Sequence, residues 1–307
     1  MPDALVLVTG AGGGVGGVGR SVVAMLRERD MPVRAMVHHD DERADALRSL
    51  GAQVVVGDLT RPSDVVRAIE DVGRMLFSMS VSLSFLEATA TVATVARAKG
   101  ALEALVNISQ MTVSQMTPVS TEESHQQRLH YLSEQVLNWS GLPVVHIRPT
   151  VFLDNPFFTT LAVPTIAENG TLRLPFGSGR TSPVAAGDVA RVVTAVLLDP
   201  ARHIGQVHEL TGPRSQDMYG IAQEYSRALG REVTYEDVPA DLWAEHVAAH
   251  GGLSPHVMEH LITMTRLQRE NRYDRSTRTV EEITGAPAQP VEEFVAERAE
   301  MFTRPSR

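Results

Sequence analysis

One stretch constrains this chain more than any other: Val8-Thr9-Gly10-Ala11-Gly12-Gly13-Gly14-Val15-Gly16-Gly17-Val18-Gly19-Arg20. The run before it, Ala4 to Val8, is short, apolar and rich in branched side chains, so it reads as a buried strand. The run after it, Ser21 to Arg29, places Val22, Met25 and Leu26 on one side of a helix and charge on the other. A strand, a glycine loop and a helix in this order form a dinucleotide signature. Glycine turns the backbone sharply and lets a pyrophosphate approach without meeting a Cβ. The helix that follows offers free N–H groups and the positive end of its dipole.

The rest of the first half repeats the alternation. Strands are expected at 32–38, 52–58, 74–78, 102–109 and 144–148. Helices are expected between them at 42–50, 62–72, 85–99 and 122–140. Short links between alternating elements predict a parallel, doubly wound α/β sheet of Rossmann type. Beyond residue 155 the rhythm changes. Helices are expected at 157–170, 188–198 and 218–229, short strands at 171–175, 205–210 and 233–235, and a polar helical pattern from Asp241 onward. The expected organisation is a nucleotide-binding domain over 1–155, joined by 182–212 returning to the sheet. Residues 156–181 and 213–307 form a smaller C-terminal α+β lobe that binds substrate.

Composition narrows the partners. No apolar run reaches the roughly 20 residues of a membrane span, and the start of the chain lacks a basic leader. With no cysteine there is no disulfide, thiolate metal site or thiol nucleophile. The expectation is a cytoplasmic protein. A formal charge of −9 disfavours nucleic acid and anionic membrane. His246/His250 and His256/His260 are spaced four apart but lack the His-Glu-x-x-His form, so no metal site is expected.

In a doubly wound sheet, ligands bind beyond the carboxyl ends of the strands, where strand order reverses. That rule selects the glycine loop, His38, Asp58, Ser78 to Ser80, Ser109 to Thr112 and Pro149 to Asn155.

Several of these segments carry a further pattern. Thr9-Gly10-Ala11 with spaced glycines, Gly57-Asp58-Leu59, Ser140-Gly141-Leu142 and Arg148-Pro149-Thr150-Val151-Phe152-Leu153-Asp154-Asn155 together resemble the NmrA-like family of atypical short-chain dehydrogenase/reductase proteins. Leu174-Pro175-Phe176-Gly177-Ser178-Gly179 and Asp188-Val189-Ala190 fit the same pattern. The resemblance implies an NAD(P)-binding protein, either a reductase of quinones or other small molecules or a cofactor-sensing regulator. Gly10, Gly13 and Gly16 match its loop, yet Gly19 fits the helix start better. The phosphate loop is therefore read as three residues longer than usual, with the phosphate contacts open among Gly10, Gly13, Gly16 and Gly19.

The resemblance also implies roles further along. Members that choose NADP place an arginine where His38 stands. His38 carries a charge only when protonated, whereas arginine is always charged. Asp40 and Asp41 oppose a phosphate there: one carboxylate about 4 Å away costs on the order of 1 kcal/mol in water. NADP is expected, with NAD the alternative. Asp58 and Leu59 are assigned to the adenine, Ser78 to the nicotinamide ribose, and Phe152 to the wall of the nicotinamide pocket. The Tyr-x-x-x-Lys pair of typical members is absent; its positions fall on Gln126 and His130. His130 and Ser109 are the catalytic candidates. Quinone reduction yields a weakly basic anion, so it tolerates the missing tyrosine better than ketone reduction does. The expected activity is hydride transfer from NAD(P)H to a small quinone or carbonyl acceptor. The alternative is a non-catalytic NAD(P) sensor acting through a protein partner, and the chain is expected to be a monomer or homodimer.

Overall fold

A computed structural model describes residues 4–13 and 16–303, without the side chains of 250, 251 and 303. Gly14 and Val15 of the glycine loop and the chain ends 1–3 and 304–307 lie outside the described residues.

The first half alternates as the sequence dictates. β1 (Leu5–Thr9), β2 (Val33–Val37), β3 (Gln53–Val56), β4 (Val72–Phe77), β5 (Ala104–Ile108) and β6 (Val144–Pro149) are separated by helices. These are α1 (Val18–Arg27), α2 (Glu42–Ser49), α3 (Pro62–Ala68), α4 (Phe85–Lys99) and α5 (His125–Trp139). The second half contains α6 (Val163–Asn169), β7 (Thr171–Leu174), α7 (Ala186–Leu198), β8 (Val207–Leu210), α8 (Met218–Leu229) and β9 (Thr234–Asp237). Helices α9 (Ala240–Gly251), α10 (Pro255–Arg269), α11 (Thr279–Thr284), α12 (Val291–Ala296) and α13 (Ala299–Thr303) complete it.

The main sheet has seven strands in the order β3-β2-β1-β4-β5-β6-β8, and β7 pairs with β9 in a second, two-stranded sheet. The β1–β2, β1–β4, β2–β3, β4–β5 and β5–β6 pairs are parallel. This is the expected Rossmann-like doubly wound architecture. Strand order reverses at β1, between β2 and β4.

Two compact units are present. The first comprises Met1–Met116, Gln126–Pro149 and Val189–Glu209; the second comprises Thr117–His125, Thr150–Asp188 and Leu210–Arg307. One cluster of the first unit joins Leu7, Met75, Phe77, Phe85, Val92, Leu105, Leu129 and Leu137, where α4 and α5 cover the sheet. The core of the second is aromatic, with Phe157, Phe158, Phe176, Tyr225, Phe294 and Phe302 all fully buried.

Three helices differ from expectation for identifiable reasons. α3 ends at Ala68 rather than 72, because Asp71 takes a left-handed turn (φ 60°) and Val72 starts β4. Val66 of this helix is exposed. Between 157 and 170 only Val163–Asn169 is helical, and Phe157 and Phe158 are buried from a turn segment. The third, α5, spans 125–139 rather than 122–140, and its Leu132 is exposed. The inner face of α5 is instead shared with buried polar groups: Gln126, Gln127, Ser133 and Glu134. Each is hydrogen-bonded, to Ser82, Thr112, Thr89 and Arg148 respectively. Hydrogen-bonded polar side chains rotate the buried face away from the purely apolar one.

Candidate dinucleotide site

The carboxyl end of β1 is tied to that of β4 by Thr9. Its buried hydroxyl donates to the carbonyl of Ser78 (2.9 Å) and accepts from the Ser78 N–H (2.9 Å). The chain then turns at Gly10, whose φ of +69° suits glycine. A Cβ there would stand 2.7 Å from the Ser78 carbonyl oxygen. The turn closes with the Gly13 N–H donating to the Gly10 carbonyl at 3.0 Å. Gly19, one residue inside α1, solves a different problem: a Cβ there would meet the Ala11 Cα at 2.9 Å. It lets α1 sit directly on the loop, the packing role of the last glycine in such motifs. The N-cap of α1 is Gly17, which offers no capping side chain.

A cavity of about 450 Å³ opens where four strand ends meet. From β1 come Gly10, Gly12 and Gly13; from β2, Val37, His38 and His39, followed by Asp41 and Arg43 of the α2 start; from β3, Gly57, Asp58, Leu59 and Thr60. Ser78, Met79, Ser80, Ser82 and Ser84 follow β4. The volume lies in the range of small-molecule sites, roughly 300–1,000 Å³.

Local bonding fixes each wall. Asp41 is the N-cap of α2, with its carboxylate accepting from the Arg43 N–H at 3.0 Å. The same carboxylate takes the Arg43 side chain, Nε to Oδ2 at 3.0 Å and Nη2 to Oδ2 at 2.5 Å. Arg43 thereby holds the carboxyl group of Asp41 down at about 2. Asp58 accepts from the N–H (2.9 Å) and hydroxyl (2.8 Å) of Thr60, which lower its carboxyl below the ordinary range. Its other oxygen lies 3.8 Å from His38 Nε2. The His38 and His39 rings meet edge to face, with Nδ1 of the first 3.0 Å from Nε2 of the second. The serine loop is held from α5, where the buried Gln126 Oε1 accepts from the Ser82 N–H at 3.1 Å.

Of the residues singled out in the sequence, Gly10, Gly13, His38, Asp58, Leu59 and Ser78 line this one cavity. Gly16 and Gly19 do not line it. Nor do the catalytic candidates. Ser109 follows β5, its N–H donating to the Ile147 carbonyl (2.8 Å) and its Oγ buried without a hydrogen-bond partner. His130 stacks on Phe85 with ring centroids 4.2 Å apart. Phe152 belongs to the second unit, where it bridges Val184. Sequence reasoning missed Arg43, Thr60 and Gln126. Arg43 was legible in principle, as the second residue of a helix whose Asp41 cap follows the β2 end.

Elsewhere, His256 packs against His125 at 5.5 Å, and His260 Nδ1 lies 2.7 Å from the Ser124 hydroxyl. Among the described residues, no group of three or more His, Asp or Glu is placed to hold a metal ion. No helix among them is long and apolar enough to cross a membrane.

A fold with its ligand crevice at this strand reversal, walled by glycines, defines a nucleotide-binding α/β protein. The sequence profile described as NAD(P)H-binding matches residues 13–200, and the chain belongs to that family. It is 29% identical over 298 residues to the (4-alkanoyl-5-oxo-2,5-dihydrofuran-3-yl)methyl phosphate reductase of Streptomyces griseus, covering 97% of this chain and 99% of the relative. Its fold is shared by the NADPH-dependent quinone oxidoreductase of Escherichia coli complexed with NADPH (TM-score 0.80, 21% identity, 96% of this chain and 99% of that one). It is shared equally by NmrA, a negative transcriptional regulator solved with NADP (TM-score 0.81, 17% identity, 97% and 95%). The resemblance to NmrA-like proteins read from the motifs is thus borne out.

Proposed function

We propose that the protein is an NAD(P)H-dependent oxidoreductase that passes hydride to a small quinone or carbonyl acceptor. The observation that carries this reading is the cavity at the strand reversal, where loop backbone faces the space that side chains would otherwise fill. A Cβ added at Gly12 would have only Val37 within 4 Å, so room for a pyrophosphate exists beside the loop. Gly10, Gly12 and Gly13 bind the pyrophosphate through their backbone. Asp58 and Leu59 take the adenosine end, and Ser78 the nicotinamide ribose. When bound, the nicotinamide supplies the hydride.

The near full-length match to a reductase supports catalysis over sensing. Of the two catalytic candidates, Ser109 is better supported. Its buried Oγ lacks a partner at the carboxyl end of β5, whereas the His130 ring is engaged against Phe85. Ser109 donates a hydrogen bond to the acceptor oxygen.

The test is spectrophotometric. Purified protein is mixed with NADPH or NADH and a panel of quinones and aldehydes, and oxidation is followed at 340 nm. Turnover with at least one acceptor, lowered about tenfold or more by Ser109→Ala, is expected. Micromolar cofactor binding without oxidation of any acceptor would replace the enzyme by a cofactor-sensing regulator.

A further inference from the structure

The cavity is lined by three ionised side chains of fixed charge: the carboxylates of Asp41 and Asp58 and the guanidinium of Arg43. Arg43 is the only Arg or Lys among the described residues that line it. Its guanidinium is held at both ends. Nε and Nη2 are gripped by Asp41, while Nη1 donates to the Gly12 carbonyl at 3.0 Å. That bond spans from the start of α2 to the glycine loop and fixes the cation where the β1 and β2 ends meet. The neighbouring cations are engaged elsewhere: Arg48 binds Asp40 (2.7 Å) and Asp45 (2.8 Å), and Arg61 approaches Asp58 at 4.0 Å from outside the lining. Asp58 has its Oδ1 committed to Thr60 and its Oδ2 turned toward His38.

We propose that Arg43 reads a phosphate monoester on the adenosine ribose of the bound dinucleotide, and that Asp41 limits how strongly it does so. The inference rests on the cavity being a dinucleotide site. A guanidinium has five N–H donors in a planar fork. Asp41 and Gly12 use one edge and one hydrogen of Nη1, so outward N–H groups stay available to phosphate oxygens. Asp41 has two opposed effects. It pre-orients the guanidinium, which lowers the cost of ordering it. It also neutralises the charge that a phosphate would feel. Asn at this position keeps the helix cap and one acceptor for Arg43 but removes the negative charge. The sequence position that the NmrA-like pattern fills with arginine is His38; here the permanent charge arrives from five residues further on.

Isothermal titration of wild type, Arg43→Gln, Arg43→Lys and Asp41→Asn with NADPH and with NADH separates the contributions. In Arg43→Gln, NADPH affinity falls about tenfold or more, as loss of a charge-assisted bond predicts. NADH affinity stays within about twofold, which also reports an intact fold. Arg43→Lys recovers part of the loss, because it keeps the charge without the fork. Asp41→Asn tightens NADPH about threefold, the effect of removing one solvent-exposed like charge about 6 Å away. Inorganic phosphate competes with NADPH in wild type and loses that competition in Arg43→Gln. Equal losses for NADPH and NADH in Arg43→Gln, or none for either, would overturn the inference while leaving the dinucleotide site standing. Phosphate competing alike with both dinucleotides would move the cation to the pyrophosphate and overturn it too. If neither dinucleotide binds wild type, the reading of the cavity itself falls, and this one with it.

Discussion

Replacing Gly10 by alanine tests the geometry on which the site depends. At φ +69° an L-residue pays about 1–2 kcal/mol for the left-handed conformation. Its Cβ would also meet the Ser78 carbonyl oxygen at 2.7 Å and the carbon at 3.0 Å. Both atoms are backbone, pinned by the two Thr9 bonds, so relief requires separating the β1 and β4 ends. Overpacking of this kind costs about 1–3 kcal/mol. The two effects together give roughly 2–5 kcal/mol of destabilisation. At roughly 2–4 °C per kcal/mol the melting temperature drops by roughly 4–20 °C. Gly12→Ala is the matched control: its Cβ would touch only Val37, at Cγ1 (3.6 Å) and Cβ (3.9 Å), both ordinary contacts. It leaves the melting temperature unchanged and weakens dinucleotide binding, because the methyl enters the cavity. Differential scanning fluorimetry and a cofactor titration on both variants decide the matter. A Gly10→Ala protein that melts like wild type, or a Gly12→Ala protein that binds like wild type, would refute the reasoning.

Other consequences are equally direct. Burial lowers the imidazole of His260 to about 4 from the ordinary 6.5. Between those values the unfolded chain holds a proton that the native chain refuses. Stability is therefore full above about pH 6.5 and declines as pH falls toward 4, by up to about 3 kcal/mol. Melting temperatures at pH 7 and pH 5 measure the slope, and His260→Gln flattens it; an unflattened slope assigns the effect to other groups. Glu134, almost fully buried, receives Arg148 through two bonds at 2.9 and 2.5 Å. Glu134→Ala removes the carboxylate bonded to that cation and lowers unfolding free energy by about 3 kcal/mol in urea titrations; a loss below about 1 kcal/mol shows the pair to be dispensable. Gln126→Ala frees the Ser82 N–H and loosens the serine loop. A several-fold weaker NAD(P)H affinity is expected, for the loss of about 1 kcal/mol in that hydrogen bond, and unchanged affinity removes Gln126 from the site's support.

The sequence by itself determined the alternation of strand and helix, the sheet's doubly wound type and the strand ends at which the cavity opens. Each rests on local chemistry: branched apolar runs for strands, glycine where the backbone must turn or be approached, an Asp cap before α2. α4 was legible to the residue, since Gly100 in a left-handed conformation ends it. Tertiary structure decided what local pattern leaves open. The inward face of α5 is set by partners 14 to 44 residues away in sequence that bond its buried polar groups. The glycine run does not reveal that Gly19 packs α1 against Ala11 while Gly10, Gly12 and Gly13 face the cavity. The cation at the β2 end was sought at His38, where the chain leaves the strand. The permanent charge comes from Arg43, because the Asp41 cap and the Gly12 carbonyl fold its side chain back over the loop. A guanidinium's reach exceeds one turn of helix, so its destination is set by whichever acceptors the fold places around it.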